Sequence, residues 1–266
     1  MALACVAAIH GQLRGKDVFS GICLAIGVLL KYLPIVILPF LLFDKKRFHF
    51  RLFSSCALLV IIGLFISVLL WGVSTFSPLV FAGNRPSYNS IYDLLSTVSS
   101  PLHRSGEVVR PPQPRHPDSA GDNASLAWLE KPLISTAGLG LFTWCMVRQI
   151  GPALSGALAA LVTLLFYRVG FINYQMVPFF LLSYWAVSEW ERLKTHSVLA
   201  ALLVGYFGFL AIVDIAIVFG LEAYTTYSMV VVLLKSLLGC ALLGGLIQFS
   251  VVRSVLPAHK PEQSKQ

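Results

Sequence analysis

Three cations stand in surroundings where a cation needs a reason. Lys31 interrupts the apolar run Val18 to Phe43 and is followed at once by Tyr32-Leu33-Pro34. Arg85 lies in FAGNRPSYNSIYDLLST beside Tyr88, Asn89, Tyr92 and Asp93. Arg168 lies in FYRVGFINYQMVPFF with Asn173, Tyr174 and Gln175 close behind it. Cations suit phosphate oxygens, Arg through a planar fork and Lys as a point charge. Amides and aromatic faces suit sugars. A charge at membrane depth is costly and marks a working site by default. Taken singly, each residue reads as an interfacial anchor, because Tyr and Arg are common at headgroup depth. As a set that includes a lysine poorly placed to snorkel, they read as a binding site for an anionic lipid-linked ligand.

The elements that must position these residues are membrane helices. The chain is 57% hydrophobic and only 12% charged, with a mean hydropathy of +0.78. Its apolar residues fall in long blocks, not in the stripes of soluble elements. The fold class is therefore all-α, a polytopic transmembrane bundle. The net charge of +8 does not point to nucleic acid, because the basic residues cluster in short loops between apolar runs, a topology signal. Cys5, Cys23, Cys56, Cys145 and Cys240 all sit inside apolar runs without CxxC or Cys/His spacing. Neither zinc nor a disulfide framework follows. No DxD occurs in the outer loops, so no tightly held metal is expected, and no cofactor. The apolar run after Val18 lies too far in for a signal peptide.

Alternation along the chain predicts four regions. Residues 1-73 hold a partial helix, a re-entrant helix pair and an outward span. Residues 74-131 form one large outer, extracytoplasmic loop. Residues 132-252 form a five-helix transmembrane region, and 253-266 a cytoplasmic tail. In the re-entrant pair, Val18 to Leu30 rises, Lys31 to Pro34 turns, and Ile35 to Phe43 returns. Pro34 cannot donate a backbone hydrogen bond and disfavours helix at Leu33. Gly21 and Ala25 offer a small-xxx-small packing face. A single crossing would instead put either Arg14 and Lys16 or the Lys45 cluster outside. The outer segment from Ser74 to Lys131 carries five basic and five acidic residues. Its centre, SPLHRSGEVVRPPQPRHPDSAGDN, reads as poorly ordered, and Asn123-Ala124-Ser125 fits a glycosylation sequon.

Two charges lie in late spans. Asp214 and Lys235 fall near the outer ends of consecutive helices, so antiparallel neighbours would bring them to one depth. A structural ion pair that fixes helix register is the favoured reading. A proton or ion relay is the other. Ser236, Cys240 and Gly244 form a further small-residue face.

The segment FSGICLAIGVLLKYLPIVILPFLLFDKKR resembles the signature of polytopic glycosyltransferases of the GT-C fold, closest to the bacterial glycosyltransferase family 87 (DUF2029). That family is related to polyprenol-phosphate-mannose-dependent mannosyltransferases. NRPSYNSIYDLLS resembles its outer segment and VGFINYQMVPFFLL its late outer turn, with Pro178, and the three stretches come in family order. The resemblance implies a hexose, mannose foremost, moved from a polyprenyl-phosphate donor to a lipid or glycan acceptor at the outer face of a bacterial inner membrane. It implies that Lys31, Arg85 and Arg168 hold the donor phosphate. Tyr88, Asn89, Tyr92, Asn173, Tyr174 and Gln175 then meet sugar or acceptor. In this fold class the catalytic acid usually lies on the first outer loop. The chain begins inside what resembles a later helix, so that loop is expected to be missing and the chain resembles the C-terminal two-thirds of such an enzyme. Asp93 is the substitute base, or else a helix cap. A partner chain supplying the missing part is one expectation. A lipid-linked-sugar transporter or flippase and a non-catalytic truncated membrane protein are the alternatives.

Overall fold

The computed structural model describes residues 1–44, 47–77, 124–166, 172–219 and 229–255. They form an all-α bundle, with a two-residue antiparallel pair (β1, Phe43–Asp44; β2, Arg47–Phe48) as its one strand pairing among the described residues. Helix α1 spans Ala2–Leu13 and α2 spans Asp17–Leu30. Gly15, at φ 68°, lets the chain reverse between them. The two helices run antiparallel: the Ser20 hydroxyl donates to the Ala8 carbonyl at 2.7 Å, and Gly27 lies against Ala4. Asp17 sits in the first turn of α2, where a negative charge favours the helix dipole.

α2 stops at the predicted break. Lys31 is extended (φ −160°, ψ 139°), and a 3₁₀ turn at Leu33–Ile37 leads into the short helix α3, Leu38–Leu42. Pro34 folds back beside α2: a Cβ on Gly27 would lie 3.4 Å from Pro34 Cβ. The chain has returned by His49, whose Nδ1 lies 3.1 Å from both carboxylate oxygens of Asp17. The next helix, α4 (Phe50–Trp71), starts there and runs parallel to α2. Gly21 faces Leu52, Ser55 and Cys56 near the start of α4, while Gly63 faces Leu29 further along. Two parallel neighbours require the segment between them to come back, so the pair is re-entrant and not a single crossing.

Helix α5 runs Ala124–Arg148, α6 Pro152–Phe166, α7 Met176–Ser188 after a 3₁₀ turn at Ile172–Gln175, α8 Trp190–Leu193, α9 Ser197–Val218 and α10 Met229–Val255. α5 begins at Ala124, not at Pro132 as the composition implied, and carries Pro132 in its interior. A proline there removes one N–H from the ladder, which helices tolerate when neighbouring groups re-satisfy the backbone. The Thr136 hydroxyl donates to the Pro132 carbonyl at 2.8 Å. α6 is the hub, buried at every residue from Pro152 to Val162. Gly156 meets Ile37 of the returning arm and Ile9 of α1. α4 is the opposite case: Leu58, Ile61, Phe65, Leu69 and Trp71 are all at least 60% exposed. A face so apolar and so open suits lipid, not water. Three helical stretches, Phe50–Phe76, Ser197–Ala216 and Val230–Val251, are long and apolar enough to cross a membrane.

One end of the bundle carries the basic loops, the Asp17–His49 pair and the contact of the Gln12 amide with the Leu41 carbonyl. The other end carries the Lys31 break. The length of α2 separates these ends, and α2 packs closely on α4. A Cβ on Gly21 would overlap the Ser55 hydroxyl and come 2.5 Å from the Leu52 carbonyl oxygen. Gly21→Leu is expected to destabilise the protein by roughly 1–3 kcal/mol or more through overpacking, read as a lowered melting temperature in detergent. Unchanged melting would show that α2 and α4 do not pack closely at this glycine.

Candidate functional site

The break at Lys31 builds one wall of the site. The Lys31 N–H still bonds the Gly27 carbonyl at 3.0 Å, but its extended backbone swings the side chain off the helix. The ammonium comes to rest 4.1 Å from the ring centroid of Tyr174. A cation over an aromatic face is held by the ring quadrupole. Tyr174 can be there because the 3₁₀ turn Ile172–Gln175 precedes α7 and points its last residues inward. Residues far apart in the chain thus meet at one end of the bundle.

Gln175 builds the next layer. It is only 3% exposed, and its Oε1 accepts a hydrogen bond from the Tyr206 hydroxyl at 3.0 Å. Its Nε2 is buried and has no hydrogen-bond partner among the described residues. Tyr206 is fully buried in α9 and lies against Gly239 of α10, where a Cβ would come 3.3 Å from Tyr206 Cε2. Lys235, one turn before Gly239, is also buried at 4% exposure.

That packing sets the register in which the expected Asp214–Lys235 pair is judged. Tyr206 stands opposite Gly239, and Gly245 opposite Leu199 and Leu202. Antiparallel counting then places Lys235 level with Leu210, and Asp214 a turn further out, about 6 Å at 1.5 Å per residue. Asp214 is exposed on its helix while Lys235 faces inward. No ion pair joins the two among the described residues. The buried Tyr206 and the close contact at Gly239 fix this register.

Beside the returning arm lies an apolar cleft of about 440 Å³. Val36 and Phe40 line it from that arm, Gly138 and Phe142 from α5, and Val162 and Thr163 from α6. A Cβ at Gly138 would meet nothing within 4 Å.

Of the residues singled out from the sequence, the structure brings Tyr174 to Lys31 and buries Gln175, the next residue in the chain, against Tyr206. Arg85, Tyr88, Asn89, Tyr92, Asp93 and Arg168 lie outside the described residues, as does the Asn123 sequon. Asn173 belongs to the 3₁₀ turn. Sequence reasoning missed Tyr206. The available signal was a hydroxyl near the middle of an apolar helix, which must find a partner when buried. Among the described residues no three His, Cys, Asp or Glu side chains gather as a metal site.

Apolar helices able to cross a membrane, joined by a polar corner built from a broken helix, define a polytopic membrane protein with a site at one end. The model of glycosyltransferase family 87 matches residues 1–169, and the chain belongs to that family. It is a membrane glycosyltransferase, which entails a sugar donor and an acceptor. No curated protein and no solved structure matches it significantly. The matched stretch contains Lys31 and the cleft. It ends before Tyr174, Gln175, Tyr206 and Lys235.

The Lys31–Tyr174 contact can be tested by a double-mutant cycle of Lys31→Met and Tyr174→Leu. A coupling of roughly 0.5–2 kcal/mol is expected in unfolding free energy. Strict additivity would show that the ring does not hold the ammonium.

Proposed function

We propose that this glycosyltransferase moves a hexose, mannose by family likeness, from a polyprenyl-phosphate donor to a lipid or glycan acceptor at the outer face of a bacterial inner membrane. The observation that carries the reading is the ammonium of Lys31 at a helix break, over the ring of Tyr174, whose neighbour in the chain is the buried Gln175. A cation, an aromatic face and an amide in one corner match a sugar joined to phosphate. The apolar cleft along the same returning arm offers room for isoprenoid chain.

In this reading the acceptor hydroxyl oxygen attacks the anomeric carbon of the donor sugar. The bond from that carbon to the phosphate oxygen breaks, and the polyprenyl phosphate leaves with the electron pair. Lys31, Arg85 and Arg168 offset the charge that grows on the phosphate. Asp93 takes the acceptor proton as general base. Tyr88, Asn89, Tyr92, Asn173, Tyr174 and Gln175 orient sugar and acceptor hydroxyls.

The test uses native membranes, so that any companion chain is present, and labelled polyprenyl-phosphate mannose. Lys31→Ala should lower transfer about 100-fold, the scale seen when one stabilising donor is lost, with the melting temperature nearly kept. Transfer at the normal rate by Lys31→Ala would remove Lys31 from the site. Gly138→Trp should fill the cleft that Gly138 lines. It is expected to raise KM for a long-chain donor about tenfold and leave kcat unchanged. An unaltered KM would place the lipid chain elsewhere.

A further inference from the structure

Gln175 follows Tyr174 in the chain and forms a buried polar pair with Tyr206, and the pair has a direction. The hydroxyl of Tyr206 donates to Oε1 of Gln175 at 3.0 Å. The carbonyl end of the amide is therefore engaged, and its NH₂ end offers two donors and no acceptor. That nitrogen is buried without a partner among the described residues, a condition that raises the free energy of the unliganded state. A group that pairs with it must bring an oxygen lone pair.

We propose that Tyr206 is a positioning residue. It locks the Gln175 amide with its NH₂ end presented to a hydroxyl oxygen of the transferred sugar. The inference rests on the proposed sugar transfer and names the residue that sets its sugar recognition. Tyr206 suits the role because its ring cannot move freely. It is fully buried and pressed on Gly239, with Phe207 packed edge-on at 5.1 Å between ring centroids. A hydroxyl fixed by its ring fixes the amide in turn. Without it, the amide could rotate and offer its carbonyl, which takes a hydroxyl as a donor and would change the hydrogen bond that the sugar makes.

The test is binding to the full chain in detergent, using two probes: polyprenyl-phosphate mannose and polyprenyl phosphate without sugar. Tyr206→Phe keeps the ring and its packing, so the fold should persist. Gln175→Met removes the amide and keeps its length. Each variant should weaken binding of the sugar-bearing lipid about tenfold, the scale of one hydrogen bond, and leave binding of the bare lipid phosphate unchanged. The double variant should bind no worse than Gln175→Met alone, because Tyr206 acts through the amide. Equal weakening toward both probes would move the recognised oxygen to the phosphate and overturn the sugar assignment. Normal binding of the sugar lipid by Tyr206→Phe would overturn the positioning role while leaving the sugar-transfer reading intact. An unaltered chain that binds neither probe would overturn both.

Discussion

Everything at the functional end depends on one failed helix continuation. After Gly27 to Leu30 the next turn would need an amide hydrogen from residue 34, and Pro34 has none. The residue before a proline is also pushed away from helical backbone. Lys31 therefore leaves α2 extended, its ammonium is released sideways, and the chain turns back. The same event has two products. It makes a cation available at membrane depth, and it forces the returning arm against α6, where Ile37 meets Gly156. A continuous helix from Val18 to Phe43 would have bundled neither Tyr174 nor the cleft with Lys31.

Close approach of backbones keeps this arrangement rigid. In a bilayer, apolar side chains gain little from leaving lipid, so helices associate through contact and shape. Gly21 against Leu52 and Ser55, Gly63 against Leu29, and Gly239 against Leu165 and Tyr206 are places where a methyl group would force a neighbour to shift. The first two hold α2 parallel to α4, and thereby hold the return of the arm between them. The third presses α10 on α9 and leaves Tyr206 no room except toward Gln175. Small residues at one interface thus orient a polar group at another.

The legible part of the site was its chemistry, residue by residue. Lys31 announced itself as a charge in an apolar run, and the proline three residues on announced the break. Tyr174 and Gln175 were visible as a polar pair ahead of an apolar helix. Their meeting with Lys31 was inferred only as a shared end of the bundle, and the structure turns that into a 4.1 Å contact. Tyr206 was illegible because a tyrosine in an apolar helix has the same local signature whether it anchors at an interface or is sealed inside. Asp214 and Lys235 were legible only as charges at a similar depth, for a related reason. Helix ends read from composition err by a few residues, and one turn is enough to separate two charges.

The sequence by itself determined the class of the protein: apolar blocks without surface polarity can be stable only as membrane helices, and a proline after a lysine must end one of them. Alternating basic loops also determined which helix ends share a side, including the return of the arm to the side of Asp17. Only the tertiary structure decided the rotation and register of the helices. Those depend on which small residues meet which neighbours across the bundle, and a contact between Gly239 and Tyr206 or between Gly63 and Leu29 has no trace in local periodicity. Rotation and register in turn decided that the amide of Gln175 would be met by a tyrosine hydroxyl, and that Lys235 would face inward while Asp214 stayed exposed.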